Sequence, residues 1–332
     1  MNSVADSINL AVVAIGRNEG QRLKVCLEFA LAQSEVALVV YVDSGSTDGS
    51  AAYARSCGCL VVNLDMSIPF TAARGRNEGF ALATEHQPQL THVQFVDGDC
   101  ELAAGWLPEA LRFLIAHPAA VAVCGRRRER NPQNSIYNQL CDIEWNTPVG
   151  LAKSCGGDVL MRAEALRAAD GYRAGLIAGE EPELCVRLRA AGGQIYRIDY
   201  EMTLHDANIL RFSQWWSRSK RAGYAFAEGV ALHGAPPERH WVRESRSAWV
   251  WGAGIPGFAL SAAVFFSPWA FAVLLVYPLQ VLRIYLRMRR TVPAAAASAF
   301  FMVLGKLPEA MGQVQFWFNR FWGRRATLIE YK

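Results

Sequence analysis

INLAVVAIGRNEG, residues 8–20, is an apolar run rich in β-branched side chains that stops at Gly16 and gives way to Arg17, Asn18 and Glu19. Such a run reads as a buried strand followed by a loop. Residues 36–42, 60–63, 92–96 and 120–124 repeat the pattern, with segments of helical length between them at 21–33, 48–56, 74–85 and 106–116. Strands alternating with helices predict an α/β fold with a mostly parallel sheet and flanking helices. In such sheets ligands bind beyond the carboxyl ends of the strands, so the chemistry is sought there. Those ends are polar: Arg17-Asn18-Glu19, then Asp43-Ser44-Gly45-Ser46-Thr47-Asp48, then Asp97-Gly98-Asp99.

The 332-residue chain is 52% hydrophobic and 19% charged, which excludes a disordered protein, and its 27 Gly and 14 Pro follow no fibrous period. Its formal charge of +4 is unevenly spread, since residues 206–332 hold 16 Lys/Arg against 6 Asp/Glu and residues 1–205 are net acidic. The basic part flanks a lipid-like segment and suits an anionic membrane surface rather than nucleic acid. Residues 247–282, 36 in a row, carry no charge, with Pro268 near the middle. Arg243 and Arg246 precede them, and Arg283, Arg287, Arg289 and Arg290 follow. One helix of that length would run ~54 Å, well beyond a ~30 Å hydrocarbon core. Basic flanks place both ends on the cytoplasmic side, so a helical hairpin is expected over about 247–286, as two short spans or a re-entrant pair. An aromatic and basic stretch at about 294–322 reads as an interfacial helix. The eight Cys show no metal-ligand spacing and are expected as reduced thiols. No basic region precedes the first apolar run, so no cleaved signal is expected and the N-terminal part is expected in the cytoplasm.

Asp97-Gly98-Asp99, directly after an apolar run, can aim two carboxylates at one point, a setting that suits Mg2+ or Mn2+ bridging a diphosphate. Together with AIGRNEG (14–20), VDSGSTDGS (42–50) and GEEPELCVRL (179–188), it makes the chain resemble a family 2 glycosyltransferase of the GT-A fold over about residues 8–230. The resemblance implies a catalytic domain over 1–230, followed by a C-terminal membrane region over 231–332. It implies a nucleotide-sugar donor lying across the sheet edge, with Asp43 at the base and Arg17 and Glu19 lining the same pocket. Arg74 would contact base or phosphate, and Asn77 would hold that loop. Asp97 would reach the ribose or the metal, Asp99 would bind the metal, and His205 stands where related enzymes place a third ligand. The divalent ion, Mn2+ or Mg2+, would neutralise the leaving diphosphate.

Glu180-Glu181 stands where the family has Glu-Asp, with Glu181 at the position of the base that deprotonates the acceptor hydroxyl in an inverting displacement. The choice between the two stays open, because Glu reaches one methylene further than Asp. Glu183 is expected to orient or cap the following helix. Residues 153–158 resemble a loop that closes over both substrates, which makes Asp158 a candidate for acceptor contact. Arg218 and Arg221, in RFSQWWSRSKR (211–221), match residues that grip the donor diphosphate. The Gln-x-x-Arg-Trp motif of processive synthases is absent, since Gln214 is followed by Trp215, Trp216, Ser217 and Arg218, so one sugar is expected per acceptor.

The resulting expectation is a glycosyltransferase at the cytoplasmic membrane, with its catalytic domain facing the cytoplasm and a lipid or lipid-linked acceptor, in cell-surface polysaccharide or glycolipid synthesis. Two other readings stay open. One is an inactive nucleotide-sugar-binding scaffold, for which the paired acids would have no chemical use. The other is a sugar nucleotidyltransferase, which needs a first loop richer in glycine than AIGRNEG.

Overall fold

The computed structural model describes residues 8–324 and Ile329. The chain divides into two compact units, one of residues up to 130 with 144–207, the other of 131–143 with 208 onward. The first unit contains, in chain order, β1 (Leu10–Gly16), α1 (Gln21–Leu31), β2 (Val36–Asp43), α2 (Ser50–Ser56), β3 (Leu60–Asn63) and α3 (Ala72–His86). It continues with β4 (His92–Asp97), β5 (Cys100–Leu102), α4 (Trp106–Ala116) and β6 (Ala120–Glu129). After α5 (Ile136–Glu144), nearly all of which falls in the second unit, come β7 (Gly150–Leu151), β8 (Val159–Arg162), α6 (Ala163–Ala168), α7 (Glu180–Ala190) and β9 (Gln194–His205).

The sheet runs β3-β2-β1-β4-β8-β6-β9-β5, with β7 on β9. Its first four strands are parallel, as the strand–helix alternation implies. Beyond β4 it is mixed: β8 is antiparallel to both neighbours, and β5 and β7 are antiparallel to β9. A parallel neighbour needs a crossover helix, and β8 enters from a loop instead. Alternation along β1 shows how the sequence builds both faces. Leu10, Val12 and Ala14 bury into one cluster with Leu23 and Leu27 of α1 and Trp106 and Leu107 of α4. Ala11, Val13 and Ile15 bury into the other with Ala73 and Ala83 of α3 and Leu184 and Leu188 of α7.

The second unit adds α8 (Phe212–His233), α9 (Val242–Trp249), α10 (Ile255–Phe265), α11 (Val276–Met288), α12 (Ala295–Leu304) and α13 (Lys306–Phe321). A domain boundary at 230 would cut α8 near its end; the structural division falls after Ala207, because α8 packs along α13. Glycines make that crossing possible, since a Cβ on Gly223 would stand 2.0 Å from the Glu309 carbonyl and one on Gly312 2.0 Å from the Lys220 carbonyl. A π-turn over Val250–Gly254 joins α9 to α10, and a 3-10 stretch over Pro268–Leu275 leads into α11. The two rods, Val242–Phe265 and Pro268–Met288, are each long and apolar enough to cross a membrane. They turn at Phe266-Ser267, beside the Pro268 that marks the turn in the sequence, and the Tyr277 hydroxyl donates to the Trp251 carbonyl between them. Phe265, Phe266 and Trp269 at the turn are largely exposed, and none of the apolar window of the second rod is buried within the chain. The stretch expected as one interfacial helix is two, α12 and α13, meeting at Gly305. α13 buries Ala310, Gly312, Gln313 and Phe316, and leaves Met311, Val314, Trp317 and Phe318 exposed.

Candidate active site

Gly16 of β1 is in register with Asp43 of β2, and Ile15 with Asp97 of β4, so three loops open at one edge of the sheet. The first two loops are tied together by their own polar groups. Asn18 accepts from the Thr47 N–H at 2.8 Å, Ser46 Oγ accepts from the Asn18 N–H at 2.9 Å, and Asp48 accepts from the Gly20 N–H at 2.9 Å. Asp43 is buried and accepts from the Gly45 and Ser46 N–H groups at 3.1 and 2.9 Å and from the Tyr41 hydroxyl at 3.1 Å. Burial above all pushes that tyrosine hydroxyl far up in pKa, so it stays a neutral donor.

Behind this edge lies Arg76, with a side chain only 2% exposed. Its Nη2 meets Asp97 Oδ1 at 2.8 Å and its Nη1 meets Glu180 Oε1 at 2.7 Å, so one guanidinium joins the end of β4 to the start of α7. The carboxylates are the open members, Asp97 at 28% and Glu180 at 12% side-chain exposure. A planar fork suits this pairing of two separate acids, and the Tyr172 ring lies 5.6 Å from the guanidinium carbon. A side chain at Gly157 would press on this pair, because a Cβ would stand 2.8 Å from Arg76 Nη2 and 3.0 Å from Asp97 Oδ2.

The antiparallel register of β5 on β9 sets Cys100 opposite His205, and thereby brings His205 Nε2 to 3.2 Å from Asp99 Oδ1. A carboxylate oxygen and an imidazole nitrogen form a donor pair that suits Mn2+. The His205 Nδ1 is buried with no hydrogen-bond partner among the described residues, and Trp145 packs edge-on against the ring at 4.7 Å. Cys100 lies within the same cluster, but burial raises its thiol pKa well above normal, so it donates to Asp99 Oδ1 as a neutral S–H at 3.7 Å. A second group, Cys155, Glu181 and Cys185, is close enough for a metal but chemically unsuited. Hydrogen bonding to Cys124 and Cys185, with burial, raises the Cys155 thiol; burial pushes Cys185 up to about 12; and the Glu181 oxygens already accept three hydrogen bonds.

Residues 12–155 match the family model described as glycosyl transferase family 2. Among solved structures, a mannosyltransferase from Pyrobaculum calidifontis, solved with GDP-Man and Mn2+, superposes with a TM-score of 0.62 at 18% identity, over 92% of this chain and 87% of its own. S. aureus TarS 1-349 gives 0.52 at 15% identity, over 89% and 90% of the two chains. Its complex with UDP-GlcNAc gives 0.51 at 15%, over 96% and 93%. Likeness at these identities establishes the shared GT-A fold. No curated protein matches the chain by sequence.

The residues read from sequence take distinct places. Asp43, Asp97 and Glu180 meet the open edge, with Asp99 and His205 buried beside one another. Arg17 is exposed after β1, and Glu19 pairs with Arg22 at 2.7 Å. Arg74 does not reach that edge's carboxylates: its guanidinium donates to the Ile68 and Asp65 carbonyls at 2.8 and 2.6 Å and shapes the loop before α3. Arg76, two residues on, is the cation of the site, and sequence reasoning passed over it. The signal was available, because Arg76 shares a helix face with Ala73 and Ala83, and a charge on a buried face needs a partner.

Asn77 accepts from the Tyr172 N–H at 2.8 Å and donates to the Tyr172 carbonyl at 2.7 Å. Glu181 accepts from the Cys155 and Gly156 N–H groups at 2.7 and 2.9 Å and so anchors the 153–158 loop; burial raises its pKa, and these bonds partly offset that. Glu183 is a buried ion-pair node between Arg173 at 2.6 Å and Arg187 at 2.8 Å. Asp158 corrects the expectation of acceptor contact. Its side chain is 0% exposed, accepting from the Asp97 N–H at 3.1 Å and from Thr203 at 2.8 Å and pairing with Arg127 at 2.9 Å, so it braces the backbone of Asp97. Arg218 and Arg221 lie on α8, in the second unit.

Proposed function

We propose that the protein is an inverting glycosyltransferase that moves one sugar from a nucleotide-sugar donor to a lipid or lipid-linked acceptor at the cytoplasmic face of a membrane. The observation that carries this reading is the Arg76 bridge, which ties Asp97 on the donor edge to Glu180 at the head of α7. A displacement at an anomeric carbon needs charge compensation at the leaving diphosphate and a base on the acceptor side. Asp97 would help hold the cation that compensates the diphosphate, Glu180 would take the acceptor proton, and the buried Arg76 guanidinium binds both carboxylates.

Asp99 and His205, with Asp97, would hold a divalent ion whose chemistry is to neutralise the leaving diphosphate. Asp43 and the 43–48 loop would receive the base of the donor, with Arg17 and Glu19 as further donor contacts. Glu180 is favoured over Glu181 as the group that takes the acceptor proton. Its carboxylate reaches solvent, whereas Glu181 is 2% exposed and already engaged with backbone N–H groups. The apolar hairpin, basic at both ends, supports membrane attachment and thus a lipid acceptor.

The test is a panel of UDP-, GDP- and dTDP-sugars supplied to membranes holding the protein, with Mn2+ or Mg2+, reading nucleoside diphosphate release and label entering the lipid fraction. Label in lipid from one donor, lost with chelator, is the expected result. Label confined to water-soluble products would overturn the lipid acceptor, and release of inorganic diphosphate from a nucleoside triphosphate plus a sugar phosphate would overturn glycosyl transfer.

A further inference from the structure

We infer that the second unit holds a site for a single membrane lipid with a phosphate head, its apolar chain in the groove between α11 and α12 and its phosphate on Arg243 and Arg287. This deepens the lipid-acceptor reading and rests on the membrane assignment made there.

The groove measures about 830 Å3 and is walled by Leu274, Tyr277, Val281 and Leu282 on one side and by Phe300 and Leu304 on the other. Sites for organic ligands commonly enclose ~300–1,000 Å3. Its walls offer almost nothing to a charge or a sugar, and beside two membrane-length rods the apolar occupant at hand is a lipid chain. Val303 lines both this groove and a neighbouring cavity of about 370 Å3 that mixes charged side chains with Trp251, Ile284 and Met302. There Arg243, Arg287 and Lys306 gather, with Glu244 and Gln280. Lys306 is committed to Glu309 at 2.7 Å, which leaves two exposed guanidinium groups against one carboxylate.

The hairpin explains why the cavities adjoin. Arg243 stands at the start of the first rod and Arg287 at the end of the second, so the antiparallel arrangement brings both to the end of the hairpin away from its turn. A phosphate there is met by charge-assisted hydrogen bonds at the level where lipid headgroups lie, while the chain follows α11 into the apolar zone. Charge at one end and an uncharged wall along the rest match an anionic lipid and neither of its halves alone.

The experiment uses the full chain in neutral detergent, without donor, and measures binding of dioleoyl phosphatidic acid, dioleoylglycerol and inorganic phosphate by native mass spectrometry and titration. One phosphatidic acid per chain is expected, held at least about tenfold more tightly than either of the others. Arg243→Ala with Arg287→Ala should weaken it by about tenfold or more. Ala296→Phe, which fills the groove, should do the same, while Arg287→Lys, which keeps the charge, retains binding. Arg283→Ala with Arg290→Ala removes equal charge outside both cavities and should leave binding unchanged. Equal retention of diacylglycerol, or equal loss in that control pair, would overturn the site. Because binding is read without donor, a donor panel that labels no lipid while phosphatidic acid still binds would count against the acceptor reading alone.

Discussion

Arg76 Nη1 lies 2.7 Å from Glu180 Oε1, although 104 positions separate the two residues in the chain. The same guanidinium holds Asp97 at 2.8 Å. Burial by itself would discharge it, and the attraction of Asp97 and Glu180 outweighs that penalty, so the three groups stand or fall together.

Removing Arg76 strands two carboxylates at the edge of the core. Arg76→Ala should lower unfolding stability by roughly 3 kcal/mol, as loss of one partner of a buried pair does. Transfer should also fall by two or more orders of magnitude, and Arg76→Lys should recover much of the stability but little of the rate, because a point charge cannot serve two acids as a fork does. Thermal melts and initial rates on the same preparations check both parts.

The two glutamates should separate by phenotype. Glu180→Gln, which keeps an acceptor for Arg76 but removes one of its two charge partners, is expected to lose about 100-fold or more in turnover, the range of a missing general base, at a smaller cost in stability than Arg76→Ala. Glu181→Ala should instead lower the melting temperature, because the Cys155 and Gly156 N–H groups lose their acceptor. Reversal of the two outcomes would reassign the base to Glu181.

Metal affinity tests the Asp99–His205 pair. Asp99→Asn and His205→Ala should each weaken Mn2+ binding by at least about tenfold, read by calorimetry on the purified protein, since each removes one donor from a small set. Cys100→Ser should leave it nearly unchanged, because a soft sulfur ligand suits Mn2+ poorly beside oxygen and imidazole donors.

Glu228 on α8 gives the protein a pH-dependent weakness outside the catalytic unit. Its carboxyl is half-buried, and one oxygen has no hydrogen-bond partner among the described residues; burial raises its pKa from 4.5 to about 7, with Arg320 pulling the other way. A folded pKa above the unfolded one means that this group favours folding most below pH 4.5, and that the advantage is lost as pH rises through about 7. Glu228→Gln should therefore stabilise the chain at pH 8 by about 2 kcal/mol after allowance for partial exposure, with the gain vanishing towards pH 4.5. Melting curves of both proteins across that range decide it.

Much of the site was legible because its residues follow strands whose β-branched pattern is local. Asp43, Asp97 and Asp99 are placed by the first four parallel strands, and Pro268 marked the hairpin turn because an uncharged run of that length has to fold back. Arg74 and Arg76 were harder to tell apart, since both lie in ARGRNEG and only the direction of each side chain decides which serves the site. Asp158 looked available in a polar, glycine-rich loop, and its burial follows from Arg127 and Thr203, which approach from two other strands.

The sequence by itself determined the strand–helix alternation, the acidic edge, the uncharged hairpin and the candidate acids, because each depends on periodicity or composition over a few neighbouring residues. Tertiary structure decided the antiparallel insertion of β8, the meeting of His205 with Asp99, the sharing of Arg76 between Asp97 and Glu180, and the pairing of α8 with α13. Those are long-range contacts set by register and close packing, and no local pattern of residues encodes a partner a hundred positions away.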